Sequence, residues 1–193
     1  PVLLFSGGEP LLRPDLYELG DYAVRRGLRT VISTNGTLID RQAAERIREA
    51  RFSYVGVSLD GLQGTNDRFR GQAGAFDAAL AGMRHCREAG VRVGLRLTLN
   101  RHNYADLHAI FDLLERERIR RACFYHLVYA GRGKRLQDDD LTLAESRAAL
   151  DLIFDRTVDL HDRGVDIEIL TVDNHADGPY LLRRVEERQP ERA

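Results

Sequence analysis

The feature that most constrains this chain is a regular alternation of short apolar, β-branched runs with longer segments of helical period. The runs fall at Val2 to Phe5, Thr30 to Ser33, Tyr54 to Leu59, Val91 to Leu99, Cys123 to Val128 and Asp166 to Leu170, all of strand length. Between them lie segments of helical periodicity: Asp15 to Arg26, Arg41 to Ala50, Ala75 to Ala89, Tyr104 to Arg118 and Leu143 to Arg163. The chemistry of helix ends agrees. Pro14 and Asp15 stand at a start, Gly27, Gly90 and Gly164 stand just past ends, and Thr142 with Glu145 forms a capping box. Strands joined by helices are parallel, since a hairpin cannot link parallel neighbours. The expected fold class is therefore α/β: a sheet either open and doubly wound or curled into a barrel, with one domain over 1–193 as the default.

Polar residues gather at or just past the C-terminal ends of these runs, where ligands bind in both kinds of α/β fold. Glu9 follows the first run, Ser33, Thr34 and Asn35 end the second, Ser58 and Asp60 the third, Thr98 and Asn100 the fourth, and His126 lies late in the fifth. In FSGGEPLL, Gly7 and Gly8 let backbone approach a ligand, and Pro10 holds Glu9 extended; a tight turn into the next helix explains the segment equally well. ISTNGTL either bonds a ligand through Ser33 and Asn35 or caps a loop. Ser58 and Asp60 of VSLDG, two apart, point to one side, as a ribose diol requires and as an Asx turn also allows. Arg70 of NDRFRG, in a loop, suits a carboxylate. Arg96 and Thr98 of GLRLTL share one strand face, and an arginine inside a sheet needs an anion.

Charge excludes several partners. With 29 basic and 30 acidic residues the net charge is −1, so no global field draws the chain to nucleic acid or an anionic membrane. The apolar runs are too short to span a bilayer and no export signal opens the chain, so a cytoplasmic location is expected. Cys86 and Cys123 lack the spacing of a disulfide or metal site and are read as buried thiols. Lys134, the sole lysine, lies in a charged loop rather than at a strand end, which argues against a Schiff-base aldolase. DNHADG is not a calcium loop: His175 stands at its third position and Arg184 at its twelfth, where acids are needed.

SGGEP, STNG, SLDG and LRLTLN, in this order and at these intervals, resemble the radical S-adenosylmethionine (radical SAM) superfamily over essentially the whole chain. The resemblance implies a partial (β/α) barrel and a 4Fe-4S cluster that cleaves S-adenosylmethionine reductively to a 5′-deoxyadenosyl radical. It implies that Gly7, Gly8 and Glu9 hold the methionyl amine and that Ser58 and Asp60 lie near the ribose. Arg70 or Arg96 would meet the carboxylate, with Ser33, Asn35 and Thr98 as further cofactor-binding candidates. The CxxxCxxC loop for the cluster is expected upstream of Pro1, so the first βα unit is read as missing, and this stretch alone as inactive.

FYHLVYAGRGKR and EILTVDNHADGPYL resemble the branch acting on sirohaem-derived tetrapyrroles, in haem d1 biosynthesis and in the haem route through didecarboxysirohaem; the didecarboxysirohaem deacetylase type is the nearer. A cysteine-rich C-terminal region usual in that branch is also absent from this span. A basic loop of Arg132, Lys134 and Arg135 would take the substrate's acid groups, Tyr125 is a further contact, and His126 or His175 would approach its metal. The implied partners are the tetrapyrrole and an electron donor such as ferredoxin or flavodoxin. The competing readings are a peptide-modifying radical SAM enzyme and a cluster-less barrel that binds without chemistry.

Overall fold

The computed structural model describes residues 1–188, apart from the side chains of Arg132, Arg135 and Arg188. Strands β1 Val2–Phe5, β2 Arg29–Thr34, β3 Tyr54–Ser58, β4 Val93–Thr98, β5 Arg121–Tyr125 and β6 Glu168–Val172 form one sheet. The helices are α1 Leu16–Arg25, α2 Arg41–Glu49, α3 Gln63–Arg70, α4 Ala75–Glu88, α5 Leu107–Arg116, α6 Leu143–Asp162 and α7 Asp177–Arg188. Every strand pair is parallel and the spatial order is β1-β2-β3-β4-β5-β6. A doubly wound sheet reverses its order at a switch point, whereas this order never reverses. Crossovers of one hand then place the helices on one side, which is the partial (β/α) barrel and not the doubly wound alternative.

The strands alternate accordingly. One face carries Ile32, Val55, Val57, Leu95, Leu97, Ala122 and Phe124, all buried in the core. Phe111 of α5 stacks on Phe124, ring centroids 5.5 Å apart. Emptying one such position, as in Leu97→Ala, removes about 2–5 kcal/mol of stability. The opposite face holds the polar residues: Ser58, Arg96 and Cys123 lie in one row across β3, β4 and β5, and Thr98 pairs with Tyr125 in the next row toward the strand ends. The near-continuous apolar look of the strands came from this mixture, since Gly56 and Gly94 occupy inner positions without being apolar packing groups.

The alternation of elements is as the sequence implies, with shifted ends and two additions. β5 begins two residues earlier than expected and stops at Tyr125, which leaves His126 to Val128 as connecting chain. The loop expected to carry Arg70 is instead helix α3, ended by Gly71 in the left-handed region at φ 65°. Its apolar content is too low for a periodic signal; Asp67 fixes the next turn by accepting the Gly74 and Phe76 N–H groups. Helix α7 was also unread, because ions rather than an apolar stripe dock it: Arg184 bonds Asp155 at 2.7 Å and meets Asp151 at 3.0 Å on α6. Thr142 and Glu145 form the expected capping box at the start of α6. Both cysteines are free and buried, and burial pushes the Cys86 thiol up to about 12. Among the described residues no helix is long and apolar enough to cross a membrane.

Candidate active-site cavity

The strand ends converge on a cavity of about 740 Å³. Gly7, Gly8, Ser33 and Asn35 line it from β1 and β2, Ser58, Asp60 and Arg70 from β3 and α3, and Thr98, Tyr125 and His126 from β4 and β5. The structure thus brings together these ten and, beside them, Thr34 and Asn100, all singled out in the sequence, whereas Glu9 and Arg96 are not among the lining residues. A Cβ added at Gly7, which has φ +133°, or at Gly8 would meet no atom within 4 Å, so these two glycines form a bare backbone lip open to a ligand.

Glu9 is a strut as well as a candidate ligand group. Its Oε1 accepts from Thr34 Oγ1 at 2.7 Å and from the Leu11 N–H at 3.1 Å, and its Oε2 accepts from the Asn35 N–H at 2.8 Å. Of the roughly four acceptor directions of a carboxylate, three are in use, and one remains for an ammonium group. The clamp ties the end of β1 to the Asn35 turn, where Asn35 Oδ1 accepts from Thr37 N and Oγ1. Thr34 was placed by the sequence at a strand end, but its partner Glu9 lies 25 residues away and leaves no local signal.

Asp60 lies just past β3, its side chain 9% exposed, with Arg70 Nε 2.5 Å from Oδ2. The contact is a charge contact rather than an aligned hydrogen bond, and Oδ2 is left buried without a directed donor. Burial raises the Asp60 carboxyl above the ordinary aspartate range, and Arg70 opposes that shift. A ligand hydroxyl would supply the missing donor. The turn is built by residues that period and motif did not mark: Asn66 Oδ1 accepts from the Asp60 N–H at 2.9 Å, and Asp106 Oδ2 accepts from the Leu62 N–H at 2.9 Å.

Behind the lining residue Tyr125, Arg96 stacks its guanidinium 4.6 Å from the centroid of the ring. His126 Nε2 is 2.9 Å from Asp177 Oδ2, with side chains 16% and 5% exposed, and Asp177 Oδ1 is buried with no hydrogen-bond partner among the described residues. Asp177 was missed because it opens α7, 51 residues beyond His126. His175 stands exposed in the turn before α7, away from the cavity lining. Leu127, Val128 and Gly133 cover one side, and that connecting segment is anchored where the Arg101 N–H donates to Asp139 O at 2.9 Å. Lys134 is exposed, and the side chain of Arg132 lies outside the described residues.

The bare lip and the unsatisfied Asp60 oxygen fit a polar ligand with amine and hydroxyl groups, as S-adenosylmethionine is. A metal cluster is a different case. Among the described residues no three His, Cys, Asp or Glu side chains converge to hold a metal, and Cys86 on a helix cannot join Cys123 on the inner sheet face as a ligand set.

Comparison with known proteins agrees with this geometry. Over its full length the chain is 61% identical to Fe-coproporphyrin III synthase of Methanosarcina barkeri, spanning 48% of that protein. It is 43% identical to pre-heme d1 synthase of Dinoroseobacter shibae over 94% of the chain and 45% of the relative. The chain therefore spans about half the length of these curated relatives. Streptococcus suis SuiB bound to precursor peptide SuiA shares the fold at a TM-score of 0.74 and 19% identity, over 93% of this chain and 40% of that one. Residues 1–114 match the model of the Radical SAM superfamily, and the chain belongs to that superfamily.

Proposed function

We propose that this chain is the ligand-binding barrel of a radical SAM enzyme that remodels carboxylate-bearing side chains of an iron tetrapyrrole derived from sirohaem. The observation that carries the proposal is the cavity itself, polar at its β1–β3 side and walled by Thr98, Tyr125 and His126 at its β4–β5 side, with Arg96 stacked against Tyr125. The names of the two relatives, an iron porphyrin synthase and a haem d1 precursor synthase, supply the substrate class.

In this proposal S-adenosylmethionine lies along Gly7, Gly8 and Glu9, with Ser33 and Asn35 beside it, Ser58 and Asp60 at its ribose, and Arg70 near the cavity mouth; Thr98 completes the wall. Bound S-adenosylmethionine, with a 4Fe-4S cluster held by residues outside this span and an electron donor such as ferredoxin or flavodoxin, supplies the radical chemistry. The residues of this chain orient. The Glu9 strut fixes the Asn35 turn, and its free acceptor direction takes an ammonium proton. Arg70 holds Asp60 charged enough to accept from a hydroxyl. The Leu127–Gly133 segment limits water on the tetrapyrrole side.

The test uses full-length protein with S-adenosylmethionine, a reductant and didecarboxysirohaem, read by mass spectrometry. Loss of side-chain mass from the tetrapyrrole together with 5′-deoxyadenosine is the expected result. Cleavage of S-adenosylmethionine that leaves the tetrapyrrole intact and modifies a precursor peptide instead would sink it, and binding without any cleavage would mark a non-catalytic barrel.

A further inference from the structure

The arginines that are not exposed to solvent form a short series among the described residues. Arg121 meets Glu168 at 3.3 Å, Arg156 meets Asp112 at 2.7 Å and Arg184 meets Asp155 at 2.7 Å. Arg96 is also half-buried, yet it meets no carboxylate among the described residues. Shielding a cation from water without an anion costs solvation that no carboxylate among the described residues returns.

Its position is built rather than incidental. Gly56 and Gly94 are neighbours on the inner face of β3 and β4. A Cβ on Gly56 would lie 2.6 Å from Arg96 Cδ, and one on Gly94 would lie 2.1 Å from the Tyr54 hydroxyl. The two bare positions thus make room for the Arg96 stem and the Tyr54 ring. Tyr125 then supports the guanidinium by a cation–π contact at 4.6 Å. Ser58 beside Arg96 in the sheet, and Thr98 and Tyr125 one row above, all line the cavity. A preorganised planar fork without an anion, set among side chains that line a ligand cavity, is suited to a carboxylate.

We propose that Arg96 is the seat for a carboxylate side chain of the bound tetrapyrrole, rather than for the methionine carboxylate that the sequence resemblance offered it. The bare lip, the Glu9 strut and Asp60 all lie on the β1–β3 side, whereas Arg96 reaches toward β5 and its Tyr125. The inference rests on the tetrapyrrole reading and names the group that fixes the substrate's orientation.

The experiment measures dissociation constants of full-length protein for Fe-coproporphyrin III, for its methyl ester and for S-adenosylmethionine. Arg96→Gln should weaken Fe-coproporphyrin III roughly ten- to hundredfold, as loss of a charge-assisted pair does, with S-adenosylmethionine affinity within twofold. Esterification should cost the wild type a similar factor and cost Arg96→Gln nothing more, and Arg96→Lys should recover part of the loss. Gly56→Ala, which displaces the Arg96 stem without removing its charge, should show the same selective loss and serves if Arg96→Gln does not fold. Weakened S-adenosylmethionine binding with the porphyrin unaffected would overturn the proposal by giving the carboxylate to the cofactor. Unchanged affinity for both would reduce Arg96 to a packing residue. A wild type that binds S-adenosylmethionine but neither Fe-coproporphyrin III nor didecarboxysirohaem would overturn the substrate reading and this inference with it.

Discussion

Single residues in the cavity are held by charge balances that pH and mutation expose. Asp60 is the clearest case: burial raises its carboxyl above the usual range, and Arg70 offsets the shift. Because the folded value lies above the unfolded one, the native state binds more protons between the two, and its stability falls as pH rises through that window. Arg70→Gln should widen the window and lower stability at neutral pH by on the order of 1–3 kcal/mol, less than for a fully buried pair because Arg70 is 31% exposed. Asp60→Asn in the same background should restore most of the loss and flatten the pH dependence. Urea unfolding at pH 5 and pH 8 for the two variants checks this; an Arg70→Gln penalty that is the same at both pH values would show that the arginine acts through packing alone.

At the scale of elements, the site depends on how closely α4 approaches the turn after β2. Gly82 of α4 faces that turn: a Cβ there would lie 2.3 Å from the backbone oxygen of Gly36 and 3.1 Å from Ile39 Cβ. Since Asn35 and the Glu9 clamp belong to the same turn, an expelled α4 would move the side of the cavity proposed to hold S-adenosylmethionine. Gly82→Ala should cost about 1–3 kcal/mol of overpacking strain and weaken S-adenosylmethionine severalfold, while leaving porphyrin affinity nearly unchanged. Thermal unfolding with both binding measurements tests it, and a stable variant with full S-adenosylmethionine affinity would show that the contact relaxes harmlessly. The sequence disclosed α4 through its apolar period and the β2 turn through STNG, but the contact between them is a tertiary fact. For the same reason α3 and α7 went unread. Their docking runs through Asp67 on N–H groups and Arg184 on α6 carboxylates, and neither leaves a periodic trace.

Across the whole molecule, what was legible was the placement of polar groups at strand ends, because parallel strands with one helix-covered face force chemistry to that rim. Eight of the nine polar residues named on this argument, all but Glu9, line the cavity. What was not legible was the pairing of distant residues that tunes them: Glu9 with Thr34, His126 with Asp177, and Asp106 with the Leu62 N–H, each 25 or more positions apart. This division carries a prediction about the fold as a unit. The sheet advances in one direction, so β1 pairs only with β2 and β6 only with β5, and a ligand on the β1–β3 rim bonds the turns that join consecutive strands. S-adenosylmethionine at a hundredfold above its dissociation constant should raise the unfolding free energy of full-length protein by about 2.7 kcal/mol through mass action. The local effect should be uneven. Amide exchange should slow at Asn35 to Thr37 and Asp60 to Leu62, whose N–H groups sit in those turns, and stay unchanged along α7, which is tied to α6 and not to the rim. Protection confined to α5 and α6 would mean that the cofactor does not use the strand ends of this span, and would remove the basis for assigning Gly7, Gly8, Glu9 and Asp60 to it.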